Sequence, residues 1–278
     1  MARIPFGISR LDSMIGGGAP RGSVVLLAGE SGAGAREFLY TSATMSAVLE
    51  ADADLADLYY GESHPRSERP SGIHYVSFTS TEAAIREEMR YTMADELVDA
   101  TDGEIDFFDL SESYFRQSPV PTAWYAARTP RIDSLGEYHD REDVLDALGA
   151  YLDAHGSDSL VAIDSLTDLV SVPDEELDWT DVTLLLKGLK RAATRWGGVI
   201  LLLVNLDAID EQGLGGLMEA SDGSLLFRWE TGGNERTRTM FVQQFRGVLS
   251  RLEEENIITF ETEIHDGGFD ITDVRKIR

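Results

Sequence analysis

Eight consecutive residues, Gly29-Glu30-Ser31-Gly32-Ala33-Gly34-Ala35-Arg36, carry the clearest chemical pattern in the chain. They follow the apolar run Val24–Ala28 and precede a segment with helical apolar spacing, which gives strand, glycine loop and helix in that order. A loop with this glycine spacing cradles phosphate with its backbone N–H groups. In the working form, G-x-x-x-x-G-K-[ST], the Lys neutralises the outer phosphates and the hydroxyl ligates Mg²⁺. Ala35 and Arg36 stand in those two places. The cradle is therefore present without its two chemical side chains. A cation in the first turn of a helix, as Arg36 would be, opposes the helix dipole by about 0.3–1 kcal/mol unless an anion lies beside it. Arg36 either substitutes for the missing Lys or points into solvent.

The elements that must position this loop can be read along the chain. Glu37–Leu49 has the apolar spacing of a helix, and 51–72 reads as an acidic helix end followed by an exposed loop. Ile73–Phe78 is a strand, Thr81 is suited to cap a helix from Glu82 to Leu97, and Ile105–Leu110 is a further short strand. Residues 111–140, rich in proline, aromatics and arginine, read as a long loop or insertion, and Arg141–His155 as a helix. Leu160-Val161-Ala162-Ile163 is a buried parallel strand that delivers Asp164 and Ser165 to its carboxyl edge, and Val199–Val204 delivers Asn205 in the same way. Between them Asp178–Trp196 is amphipathic, with Leu184, Leu185, Leu189 and Ala192-Ala193 expected inward and Lys187, Lys190, Arg191 and Arg195 mostly outward. Residues 213–223 read as a glycine-rich connection. Late strands follow at Ser224–Trp229, Thr237–Phe245 and Ile257–Glu263, the first two joined by a turn at 231–234.

Composition bounds the function classes. The chain has 50 acidic and 24 basic residues, a net charge of −26, and no cysteine, which excludes disulfide and thiol chemistry. Its five histidines show no metal-ligand spacing. No apolar run of about 18 residues and no leader pattern occur, so a cytoplasmic protein without a membrane partner is expected. The acidity argues against a broad surface for DNA, leaving only a local basic groove open to nucleic acid.

The opening Phe6–Gly34, with Gly16-Gly17-Gly18-Ala19-Pro20 before the first long strand, resembles the start of the KaiC-like branch of the RecA-superfamily P-loop ATPases. Asp164-Ser165 and Met218–Gly223 extend the resemblance. It implies an α/β, RecA-like domain over 1–278, with a mostly parallel central sheet flanked by helices and late antiparallel strands. It also implies ATP or ADP with Mg²⁺ as the ligand, held by Gly29, Glu30, Ser31, Gly32, Ala33, Gly34, Ala35 and Arg36. Asp164 would hold the metal and Asn205 would sense the γ-phosphate. Arg246, in Gln244-Phe245-Arg246-Gly247, would reach a neighbouring subunit's nucleotide. Four groups that the resembled family uses are missing: the Lys and the hydroxyl at Ala35 and Arg36, a Glu pair replaced by Thr79 and Ser80, and a Lys replaced by Gln244.

The expectation is a degenerate member with no catalytic residue set, a regulatory or scaffold pseudo-ATPase that binds nucleotide weakly or not at all and works through protein partners or copies of itself. A divergent ATPase using Arg36, with Glu82 as a substitute carboxylate, and a recombination or DNA-repair mediator are the alternatives. Acidic excess with only three lysines resembles the proteins of salt-accumulating halophiles and points to a halophilic archaeal source. In molar salt the Debye length falls to about 3 Å, so repulsion among the carboxylates is screened, whereas dilute buffer leaves it to oppose the compact state. The melting temperature is therefore expected to be clearly higher in molar KCl than in dilute buffer when followed by circular dichroism. A melting temperature independent of salt would contradict the halophilic reading.

Overall fold

The computed structural model describes residues 2–116, 118–125, 144–170, 177–232, 235–249, 252 and 257–276. At the amino terminus β1 (Arg3–Ile4) pairs with β2 (Ala19–Pro20) around helix α1 (Ser9–Ile15). Then come β3 (Ser23–Gly29), α2 (Ala35–Ala51), α3 (Ala53–Tyr59), β4 (Ile73–Ser77), α4 (Glu82–Thr92), α5 (Asp95–Asp99), β5 (Asp106–Asp109) and α6 (Ser111–Phe115). The second half supplies α7 (Val144–His155), β6 (Leu160–Asp164), α8 (Leu166–Val170), α9 (Trp179–Trp196), β7 (Val199–Asn205) and α10 (Glu211–Ala220). It ends in β8 (Gly223–Gly232), β9 (Glu235–Phe245), β10 (Ile257–His265) and β11 (Gly268–Lys276).

Among the described residues, nine strands form one sheet in the order β11-β10-β9-β8-β3-β7-β6-β4-β5. Strands β8 to β5 of that order run parallel, and β9, β10 and β11 add antiparallel neighbours at one side. The central strands read as unbroken apolar runs because both of their faces are covered. In β3, Val25 and Leu27 enter one core with α1 to α5, while Val24, Leu26 and Ala28 enter the other with α7 to α10. Parallel register aligns the carboxyl ends of the strands: Gly29 lies opposite Asn205, and Asp164 opposite Ser77. That edge is where an open α/β sheet presents a ligand site.

Several sequence expectations need correction. The stretch 213–223 is not a connection: Glu211–Ala220 is helical, capped by the Asp210 side chain, which accepts from the Gly213 N–H at 2.7 Å. Leu214, Leu217 and Met218, spaced three and four apart, pack on the second core and outweigh the helix cost of the glycines, each about 1 kcal/mol. Gly216 also permits close approach to α9, since a Cβ there would lie 3.0 Å from the Thr183 hydroxyl. The single helix expected over 82–97 is two, broken at Met93-Ala94, with Thr81 capping the first as expected. Residues 53–59 are helical behind an Asp52 cap, and β11 is a strand the sequence reading missed. Of the segment 111–140, only 111–116 and 118–125 are described. They form α6 and a single 3₁₀ turn at Thr122–Trp124, and the rest lies outside the described residues. The helix start expected at 141 falls outside them too; of the turn expected at 231–234, residues 231–232 belong instead to β8 and 233–234 lie outside the described residues, while β8 and β9 do pair as expected. Among the described residues, no helix is long and apolar enough to cross a membrane.

One buried carboxyl organises the amino-terminal segment. Asp12 Oδ1 accepts from the Phe6 N–H at 2.8 Å, and Oδ2 accepts from the Gly7 N–H at 3.0 Å and the Tyr60 hydroxyl at 3.1 Å. Burial pushes this carboxyl from 3.8 up to about 7, against the pull of those hydrogen bonds. Between 3.8 and about 7 the folded chain holds a proton that the unfolded chain has lost, so the group's contribution to stability falls as pH rises through that window. Asp12→Asn turns an amide donor toward an existing donor and is expected to cost about 1–3 kcal/mol. Thermal melts should show a deficit larger at pH 5 than at pH 8; a deficit that grows with pH would contradict this account.

Candidate nucleotide site

The glycine loop lies at the carboxyl edge of the sheet, between the end of β3 and the start of α2, as its residue types require. Gly34 precedes the helix at φ 108°, and at Gly29 a Cβ would come within 2.5 Å of the Ala35 side chain, so glycine is required at both positions. The loop borders a cavity of about 260 Å³ lined in part by Ser31, Arg36, Glu37, Ser165 and Asn205.

Arg36 does not point into solvent. Its guanidinium donates from Nη2 to Asp164 Oδ1 at 2.9 Å, joining the first turn of α2 to the end of β6. The other oxygen, Oδ2, accepts from the Tyr75 hydroxyl of β4 at 2.9 Å. Both carboxylate oxygens are thus taken by side chains of the same chain. Burial pushes Asp164 above the usual carboxylate range, while Arg36 and Tyr75 pull it back. Burial alone would lower the Arg36 pKa, but Asp164 together with Tyr40 and Tyr75 outweighs it, and the guanidinium stays firmly charged. The Tyr75 hydroxyl is pushed well up by burial and by the neighbouring carboxylate, so it remains a donor. With the Asp164 side chain 10% exposed and that of Arg36 50%, this is a half-buried pair whose anionic end has little access to water.

A second internal contact closes the loop. Asp207, in the 3₁₀ turn Leu206–Ala208 after β7, accepts from the Ser31 N–H at 3.1 Å and from the Ser31 hydroxyl at 2.7 Å. Asn205 caps this turn by accepting from the Asp207 N–H at 2.9 Å, and its Nδ2 faces the Ser31 hydroxyl at 3.5 Å. The turn-capping role that its residue type suggests and a place beside the loop are therefore both realised. On the other side Trp229 Nε1 donates to the Ser31 carbonyl at 3.1 Å, and the Trp229 N–H donates to Glu30 Oε2 at 2.9 Å. Arg238 Nε donates to the Gly32 carbonyl at 3.0 Å, and the guanidiniums of Arg236 and Arg238 lie 3.9 and 4.7 Å from the Trp229 ring centre.

The structure brings Gly29–Arg36, Asp164 and Asn205 together but not Arg246. Arg246 is 78% exposed and lies 3.6 Å from Asp222, at the end of β8 remote from the loop. Gln244 donates to the Met218 carbonyl. Of the residues standing for the Glu pair, Thr79 is exposed and the Ser80 N–H is held by the Ser77 hydroxyl at 3.0 Å. Glu82 accepts from Arg86 Nε at 2.8 Å on its own helix. Tyr75, Asp207, Trp229 and Arg238 escaped the sequence reading. Asp207, two residues past Asn205, was the one within reach of a motif.

Mg²⁺-nucleotide, the group that a loop of this kind implies, does not fit these residues. The carboxylate that would hold the metal already carries a cation, no hydroxyl stands at the ligating position, and Glu30 and Glu37 add negative charge beside the cavity. Among the described residues, no group of three or more His, Cys, Asp or Glu is placed to hold a metal ion.

No protein-family model matches the chain, and no curated protein matches it in sequence. Among solved structures, a KaiC-like protein of the hyperthermophilic archaeon Pyrococcus horikoshii aligns over 98% of this chain and 99% of that one, with a TM-score of 0.62 at 17% sequence identity. Together with the strand order and the flanking helices, this likeness establishes that the chain has the RecA-like α/β fold of a KaiC-like protein.

Proposed function

We propose that this chain is a degenerate KaiC-like member of the RecA superfamily, a regulatory or scaffold pseudo-ATPase with weak or no nucleotide binding. The observation that carries the reading is the Arg36 guanidinium 2.9 Å from Asp164. In a working phosphate loop that carboxylate faces Mg²⁺; here a fixed side-chain cation satisfies it. Phosphoryl transfer depends on positioned charge, with single groups often worth about 10²–10³ in rate, and the groups that would supply it are replaced or engaged elsewhere. Asp207 on the Ser31 N–H supports the same reading, because an incoming phosphate must displace a carboxylate already bound there. A divergent ATPase would need Arg36 and Glu82 free, and they are paired with Asp164 and Arg86. A protein of this kind acts through what it binds, either other proteins or copies of itself.

The test is titration of a fluorescent ATP analogue in high salt against the native chain and against Ala35→Lys/Arg36→Thr. The native chain should bind weakly or not at all, with no dependence on Mg²⁺. The double variant, which frees Asp164 and restores both side chains, should bind at least tenfold more tightly when Mg²⁺ is present. Mg²⁺-dependent ATP turnover by the native chain that Asp164→Ala abolishes would contradict the proposal.

A further inference from the structure

Helix α9 carries a charge pattern that the loop does not explain. The fifteen residues Val182–Trp196 contain four cations and no Asp or Glu, in a chain with 50 acidic and 24 basic residues. Lys190 turns toward the sheet, where its ammonium lies 3.0 Å from Asp222 Oδ1 and donates to the Ser221 carbonyl at 3.1 Å. Lys187, Arg191 and Arg195 are exposed and, among the described residues, no carboxylate lies within ion-pair distance of them. Leu184, expected inward, is 61% exposed instead. At 100° per residue, Leu184, Lys187, Arg191 and Arg195 fall within an arc of about 80° and run about 17 Å along the helix. They form one stripe, with an apolar residue at one end and three cations behind it.

We propose that this face of α9 is a docking surface for an acidic, amphipathic helical segment of a partner protein. Carboxylates spaced four apart on such a segment fall opposite Lys187, Arg191 and Arg195, and an apolar side chain next to them covers Leu184. Charge complementarity selects the occupant. An acidic segment of three turns fits within the stripe, and the cations lower its approach cost to a chain that otherwise repels anions. Duplex nucleic acid fits less well. It carries a charge about every 1.7 Å and would run past the stripe on a chain of net charge −26, and it offers nothing to an exposed leucine. The proposal rests on α9 alone and stands or falls separately from the reading of the glycine loop.

The experiment uses the full chain, at the lowest salt in which circular dichroism shows it folded, and a labelled fourteen-residue helical peptide bearing Glu at every fourth position with Leu beside them. Fluorescence anisotropy should give saturable binding that weakens at least tenfold in Lys187→Glu/Arg191→Glu/Arg195→Glu. A peptide with Lys in place of Glu should restore binding to that variant, and Leu184→Ala should weaken the original pair about threefold. If the triple variant does not fold, Lys187→Glu and Arg191→Glu singly should each weaken binding about threefold. Three outcomes overturn the proposal: no saturable binding, equal binding by native and reversed chains, or stripe-dependent binding of a twelve-base-pair duplex in place of the peptide. Self-association of the native chain that the reversal abolishes would overturn it as well, by making a second copy the occupant.

Discussion

A carboxylate nearly closed off from water at the end of a parallel strand must have a cation beside it, and in this protein that need is met from within. Asp164 ends β6 among buried neighbours, and an unpaired charge in such a position costs several kcal/mol. Arg36 supplies the countercharge and Tyr75 the remaining hydrogen bond. Each answers a second local demand. Arg36 sits in the first turn of α2, where its charge opposes the helix dipole, and the neighbouring anion offsets that cost. The Tyr75 hydroxyl is buried and requires an acceptor. Three locally unfavourable groups, contributed by α2, β4 and β6, become mutually satisfied at the edge where the RecA-like fold presents its site. The same contacts leave both oxygens of Asp164 engaged by side chains of its own chain, which is the observation the proposed function rests on.

Asp207 complements this arrangement at the other end of the loop. The anion-seeking N–H of Ser31 is met by a carboxylate from the turn after β7, as Asp164 is met by a guanidinium. The loop's carbonyls at Ser31 and Gly32 are held by Trp229 and Arg238 from the antiparallel part of the sheet. Backbone and side chains of the loop are thus tied to four separate elements of its own chain.

Much of the fold was legible in the sequence. Two-sided burial makes β3, β6 and β7 unbroken apolar runs, and the glycines of the loop and of the Gly16-Gly17-Gly18 turn occur where backbone geometry demands them. The site was legible as a set of residue types and not as a set of contacts. Arg36 and Asp164 each stood out, yet they are 128 positions apart, and only the parallel register of β3, β7 and β6 shows that they meet. Asp207 and Trp229 carried no pattern of their own, since an Asp in a turn and a Trp in a strand are ordinary placements. The reading failed most clearly where local and tertiary preferences compete. Glycines at 213, 215 and 216 signalled a loop, while packing of Leu217 imposed a helix; and Leu184, read as inward by its apolar type, lies on the basic outer face of α9.

The central claim, that Arg36 fills the cation's place at Asp164, is tested most directly by electron paramagnetic resonance of Mn²⁺ with ATP in the presence of the native protein in high salt. The account predicts only the spectrum of Mn²⁺-ATP free in solution. A protein-bound Mn²⁺ signal that disappears in Asp164→Asn would contradict it.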